Sequence, residues 1–183
     1  MKYFIGYMIT IGLLILLILF LIRGGNNPGA PHTTKSLASY ATTDAEVSFL
    51  NEGPIVAASE HRQILITVSR DTVTYQEIAG YNGHVIVTRN FSNSQNAYSQ
   101  FLSALGHAGF TKIDNAEALQ NEKGLCPTGH RYIFELNQGT KQLERGWSTN
   151  CGGARSYLGN TDLTITLFQA QVPDYSTLSQ SVF

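Results

Sequence analysis

Hydrophobic and polar positions divide the chain into three stretches with different rhythms. From Tyr3 to Ile22, "YFIGYMITIGLLILLILFLI", twenty residues pass without a charge, and fourteen of them are Leu, Ile or Phe. At about 1.5 Å per residue such a helix spans roughly 30 Å, the thickness of a bilayer's hydrocarbon core. A surface helix of a globular domain carries a polar stripe, and this run has none. It predicts a transmembrane helix over residues 3–22. A cleaved signal peptide has a shorter apolar region followed by an A-x-A-like site. Here "RGGNNPGAPH" follows, so an uncleaved signal-anchor is expected.

From residue 24 to 45 the periodicity is lost. "GGNNPGAPHTTKSLASYATTDA" is rich in Gly, Asn, Pro, Ser and Thr. Such composition buries too little apolar surface to offset the entropy of ordering. It predicts a flexible linker over 24–45, with an end-to-end distance of roughly 25 Å.

Residues 46–183 alternate, and they suffice for one domain with its own core. "QILITVS" (63–69) sets Ile64, Ile66 and Val68 against Leu65, Thr67 and Ser69, a strand with one buried face. "TVTYQEIA" (72–79) and "HVIVTRNF" (84–91) follow, rich in β-branched and aromatic residues. Asn82-Gly83 between them matches the dipeptide favoured in type I′ hairpin turns, where both central residues need positive φ. A shorter strand at "PIVAAS" (54–59) is expected to precede these, with Pro54 at its start. The spacing of Ala97, Tyr98, Phe101, Leu102 and Leu105 predicts a helix, capped by Ser92 or Ser94 and ended by Gly106 or Gly109. "NAEALQN" (115–121) reads as a short exposed helix. "RYIFELN" (131–137) and "KQLERGWS" (141–148) form a last hairpin, turned at Gly139, in which Leu143 and Trp147 share a face. In the tail, Leu163, Ile165 and Leu167 fit a strand, while Leu163, Leu167 and Ala170 fit a helix capped by Thr161 or Asp162. The helix, from about 163 to 171 and stopped before Pro173, is the preferred reading. The expected fold is α+β, an antiparallel β-sheet of about five strands with a helix packed on one face, preceded by the single N-terminal transmembrane helix.

Charge changes the picture by exclusion. All thirteen acidic residues lie beyond Arg23, with ten Lys and Arg, so the outer part carries about −3. These charges are scattered, whereas nucleic-acid binding needs clustered Lys and Arg. No nucleic-acid partner is expected. Lys2 and the amino group stand before the apolar run and Arg23 after it, a slim positive-inside margin that places the amino terminus in the cytoplasm and the domain outside.

The two cysteines, Cys126 and Cys151, flank the last hairpin. Their strands' outer ends lie near each other by construction, and both sit in loop-like surroundings, "LCPTG" and "NCGGA". A disulfide is the expected pairing, and two cysteines behind a membrane span suit an oxidising exterior. A metal site would build on Cys126 and His130, but structural zinc takes four ligands and no second close pair exists. A reactive thiol would need a base and a depressed pKa, for which His130 is the sole neighbour in sequence. The other histidines are dispersed, and no nucleotide-binding loop or nucleophile elbow occurs. No metal or cofactor is expected. Asn90-Phe91-Ser92 fits the N-glycosylation acceptor pattern, a frequent chance occurrence. Glu135 and Glu144, on facing strands, could serve as paired acids, though a surface charge ladder with Arg131 and Arg145 is the plainer reading.

Aromatic rings at turns and strand ends often serve recognition, here Tyr81, His84, Trp147, Tyr157 and Tyr175. Trp147, Tyr157 and Tyr81, with Arg155 in "CGGAR", are the candidate partner-binding residues. The expectation is a membrane-anchored, extracytoplasmic, non-enzymatic surface or envelope domain that binds a protein or peptide partner. Two alternatives are an inhibitor of secreted proteases, offering "CPTG" or "CGGAR" as an extended rigid loop, and a hydrolase of envelope polymers.

Overall fold

Alternation places β-branched and aromatic side chains on one face of each strand, and burying those faces together requires a sheet covered by helices. The computed structural model describes residues 36–180, 182 and 183, and in it the expected α+β class holds. A six-stranded antiparallel sheet runs in the order β4-β3-β2-β1-β5-β6. The strands are β1 (Ala45–Glu52), β2 (Arg62–Val68), β3 (Thr72–Ala79), β4 (His84–Ser92), β5 (Arg131–Gln138) and β6 (Lys141–Thr149). The expected span, residues 3–22, lies outside the described residues. Among those described, no helix is long and apolar enough to cross a membrane.

The sixth strand is β1, which joins the two halves. It pairs with β2 on one side and β5 on the other, with Phe49 opposite both Ile66 and Phe134. The expected strand at 54–59 is instead a loop. Gly53-Pro54 breaks the strand, and the amide of Ile55 turns away to donate to Pro127 O at 2.7 Å. The expected linker also ends early, because the compact unit begins at Ser36. A 3-10 helix, Leu37–Thr42, buries Leu37 and Ala41 in the core.

Above one face lie helices α1 (Gln95–Ala108), α2 (Thr161–Gln169) and the short α3 (Tyr175–Ser179). Ser94 Oγ accepts from Ala97 N at the start of α1, and Gly109, at φ 83°, closes its end. Tyr98, Phe101, Leu102, Leu105 and Ala108 face inward, while Ala97 is exposed. The Tyr98 hydroxyl donates to Ala45 O at 2.8 Å, fixing α1 over the start of β1. The tail is helical, capped by Asn160, whose side chain accepts from Leu163 N. Its buried face is Thr164 and Phe168, not Leu163 and Ala170, which are exposed. A hydrogen bond of 2.6 Å between Tyr157 Oη and Thr164 Oγ1 lets that threonine be buried. Phe168 meets Phe49, Phe101, Phe110 and Phe134.

Two turn details differ from expectation. The β3–β4 connection has four residues, 80–83, between the paired Ala79 and His84. Gly80 and Gly83 supply the positive φ while Asn82 does not, so the turn is not type I′. In the β5–β6 hairpin, pairing skips Leu143 between Glu144 and Gln142. This one-residue bulge reverses the parity of the strand. Leu143 packs against the helix-covered core, and Trp147 stands on the other face opposite Ile133.

Candidate functional site

Strand direction gives the sheet two unlike ends. The described chain enters at Ser36 and reaches β1 at Ala45. Seven residues later, about 25 Å along, β1 ends at Glu52. At this far end β2, β4 and β5 begin and β3 and β6 end, so the loops 53–61, 80–83, 126–130 and the turn after Thr149 meet there.

Cys126 and Cys151 are joined at this end, with Sγ–Sγ 2.00 Å and Cα–Cα 5.6 Å, just past the last β5–β6 pair, Arg131 with Thr149. The expected disulfide is present. Gly129 lies so close that an added Cβ would stand 2.6 and 2.9 Å from the two sulfurs. Cys126, at φ 49°, is one of two non-glycine residues in the left-handed region among those described. His130 is not directed at the sulfurs. Its Nδ1 bonds Asn51 Oδ1 at 2.8 Å, and its ring meets Phe183 edge-on at 4.6 Å. Burial, aided by the Arg131 charge, holds the His130 pKa below the usual histidine range. Among the described residues no group of three or more His, Cys, Asp or Glu could hold a metal, and no cysteine is free.

Arg131 ties these loops to the sheet from β5. Its guanidinium is almost wholly buried. Nε donates to Glu52 Oε2 at 2.8 Å, Nη2 to Gly53 O at 2.8 Å, and Nη1 to Cys126 O at 3.4 Å. His61, fully buried at the start of β2, makes a second tie. Nδ1 bonds Pro54 O at 2.9 Å, so Nε2 is left to accept from the Gln63 amide at 3.0 Å. With that assignment both ring nitrogens are satisfied, and Glu52 Oε1 stands 3.7 Å from Nε2. Every buried side-chain polar atom among the described residues has a partner. The cluster Glu52–His61–Gln63–Arg131 is therefore a bracket, with no buried donor or acceptor left for a substrate.

What the bracket holds up is apolar. The Tyr81 ring stacks on His61 at 4.0 Å, and its hydroxyl bridges Val56, donating to the carbonyl at 2.8 Å and accepting from the amide at 3.1 Å. Its outer face is open. Nine large hydrophobic residues are exposed among those described, and seven stand at this end: Ile55, Val56, Tyr81, Val85, Ile86, Leu125 and Phe183. Scattered exposed hydrophobics are ordinary, but seven of nine at one end of the sheet is an uneven distribution.

Of the four residues expected to meet a partner, Tyr81 is in this patch. Arg155 is exposed nearby, in the loop after Cys151. Trp147 and Tyr157 are fully buried and face away from solvent. Trp147 donates from Nε1 to Leu119 O at 2.7 Å beneath the 115–126 segment. Tyr157 roofs the core against Phe134, and burial raises its pKa despite the Thr164 hydrogen bond. Their aromatic bodies fill the domain, which at turn positions the sequence pattern does not separate from recognition. His84 is exposed at the start of β4, and Tyr175 is half-buried against Tyr75. The sequence does not mark Ile55, Val56, Val85 and Ile86 as surface residues, because β-branched residues in strand-like runs read as core.

The geometry also bears on the enzyme and inhibitor alternatives. Glu135 pairs with Arg145 across the ladder and Glu144 with Leu136, so the two carboxylates stand on opposite faces of the sheet. Glu135 is engaged by Arg145 at 3.3 Å, in the manner of a charge ladder. The "CGGAR" loop has consecutive left-handed glycines, Gly152 at φ 74° and Gly153 at φ 85°, so it is not extended. No protein-family model matches the chain, and comparison with curated proteins finds no match.

Proposed function

We propose that this protein is a membrane-anchored, extracytoplasmic binding module whose far end docks a protein or peptide partner. The observation that carries this reading is the gathering of seven exposed hydrophobic side chains at one end of the sheet, opposite the end where the chain enters. The anchor is the apolar run 3–22, and the disulfide fits an oxidising exterior. The bracket beneath the patch keeps Tyr81 and the 53–57 backbone in place, so little conformational freedom is lost on binding.

The test is photo-cross-linking from position 56 of the full chain in its native membranes. A discrete cross-linked species is expected. It should be lost with Ile55→Asp and Tyr81→Ala, and retained with Leu163→Asp, which changes an exposed hydrophobic on α2. Equal losses from all three substitutions, or none from the first two, would refute the reading.

A further inference from the structure

The chain treats the two edges of its sheet unequally. At Trp147 the outer side of β6 is taken up by the returning chain: Trp147 N donates to Ser156 Oγ at 2.9 Å, and Tyr157 N donates to Trp147 O at 2.9 Å. The outer side of β4 has no strand beside it among the described residues. Edges of this kind are blunted by charges, prolines or bulges; His84–Ser92 has no lysine, acidic residue or proline, one arginine, and one bulge confined to its start. Seven of its nine residues are exposed and two half-buried, so no described residue covers it. Pairing with β3 skips Ile86 beside the apolar patch, then runs without interruption from Val87 to Ser92. The one formal charge on the strand is Arg89. Its guanidinium reaches Thr88 O at 3.2 Å and no carboxylate among the described residues.

We infer that the Val87–Ser92 edge accepts an extended segment of a partner protein as a seventh strand, with an acidic side chain beside Arg89. The backbone would supply the hydrogen bonds of a ladder, and alternate side chains the selectivity. Val87, Arg89 and Phe91 share the helix-side face, so the partner's pattern is apolar, any, acidic, any, apolar. A second copy fits less well. Two-fold pairing that keeps the faces matched sets Arg89 opposite Val87, Arg89 or Phe91, and in no case beside a carboxylate. The inference deepens the proposed function, since the edge begins within the patch, and it names the class of partner.

The experiment uses the full chain in mild detergent and a synthetic seven-residue probe, acetyl-Thr-Val-Thr-Glu-Thr-Val-Thr-amide, with a second peptide bearing lysine in place of glutamate. Slowed amide exchange is expected in residues 87–92 and not in β6. The glutamate peptide should bind about fivefold tighter than the lysine peptide. Arg89→Glu should reverse that preference, and Arg89→Gln should abolish it while leaving the exposed strand folded. Absence of protection in 87–92, equal protection of both edges, indifference to Arg89 substitution, or protection growing with protein concentration alone would overturn the inference. The probe is synthetic and the patch is read by cross-linking in native membranes, so failure of one does not imply failure of the other.

Discussion

Glu144 stands on β6 beside Leu136, half-buried, with no ion pair among the described residues. Burial alone raises its carboxyl pKa. A carboxyl whose folded pKa lies above its unfolded value binds its proton more tightly in the native state. Above the folded pKa its ionisation therefore costs stability, and below the unfolded pKa the cost is gone. Glu144→Gln should raise the midpoint of thermal unfolding at pH 7, with the gain shrinking to nothing as pH falls through the ordinary carboxylate range. An unchanged midpoint at pH 7 would show the carboxylate to be solvated. At this scale the sequence was informative where chemistry is local. The capping role of Ser94 follows from its hydroxyl three residues ahead of an unpaired amide. The burial of Trp147 and Tyr157 did not follow, because it depends on the 115–126 segment and α2 folding back over them.

Among the elements, the hairpin clasp has the clearest energetic role. The bridge closes a separation of 25 residues, which stabilises the domain by roughly 3 kcal/mol in the chain-entropy model. Replacing Cys126 and Cys151 together by Ala should lower unfolding stability by about that amount, read from urea curves fitted for both midpoint and slope, since the slope rises as the unfolded chain loses its cross-link. Arg131 holds the carbonyl of Cys126 from β5 independently of the sulfurs. Amide exchange should therefore rise first in 126–130 and leave β1 and β5 protected. Strands β2, β3, β4 and β5 and both longer helices were legible from period alone. β1 was not, because "AEVSFLNE" directly follows a linker-like stretch and only its position between β2 and β5 reveals it as central. The bulge at Leu143 was illegible for a similar reason. Nothing in "KQLERGWS" announces a skipped residue, yet one skip exchanges the faces of all that follow.

For the whole molecule, the decisive question is on which side of a membrane the folded unit stands. The apolar run 3–22 and the pair Cys126–Cys151 are separate features more than a hundred residues apart, and they agree. If the run is a span, Lys2 before it and Arg23 after it bias orientation only slightly. A disulfide does not persist in a reducing cytosol, so the proposal of an exterior location for Ser36–Phe183 rests mainly on the bridge. Intact cells exposed to a membrane-impermeant maleimide should show no labelling of this protein. After treatment with an impermeant phosphine reductant, labelling should reach two thiols per chain, one from Cys151, which is exposed, and one from Cys126 as the clasp opens. Labelling that requires lysis but no reduction would place a reduced domain inside the cell. The proposed extracytoplasmic docking and the anchored role would then both be untenable, while the fold of the sheet and its open β4 edge would stand unchanged.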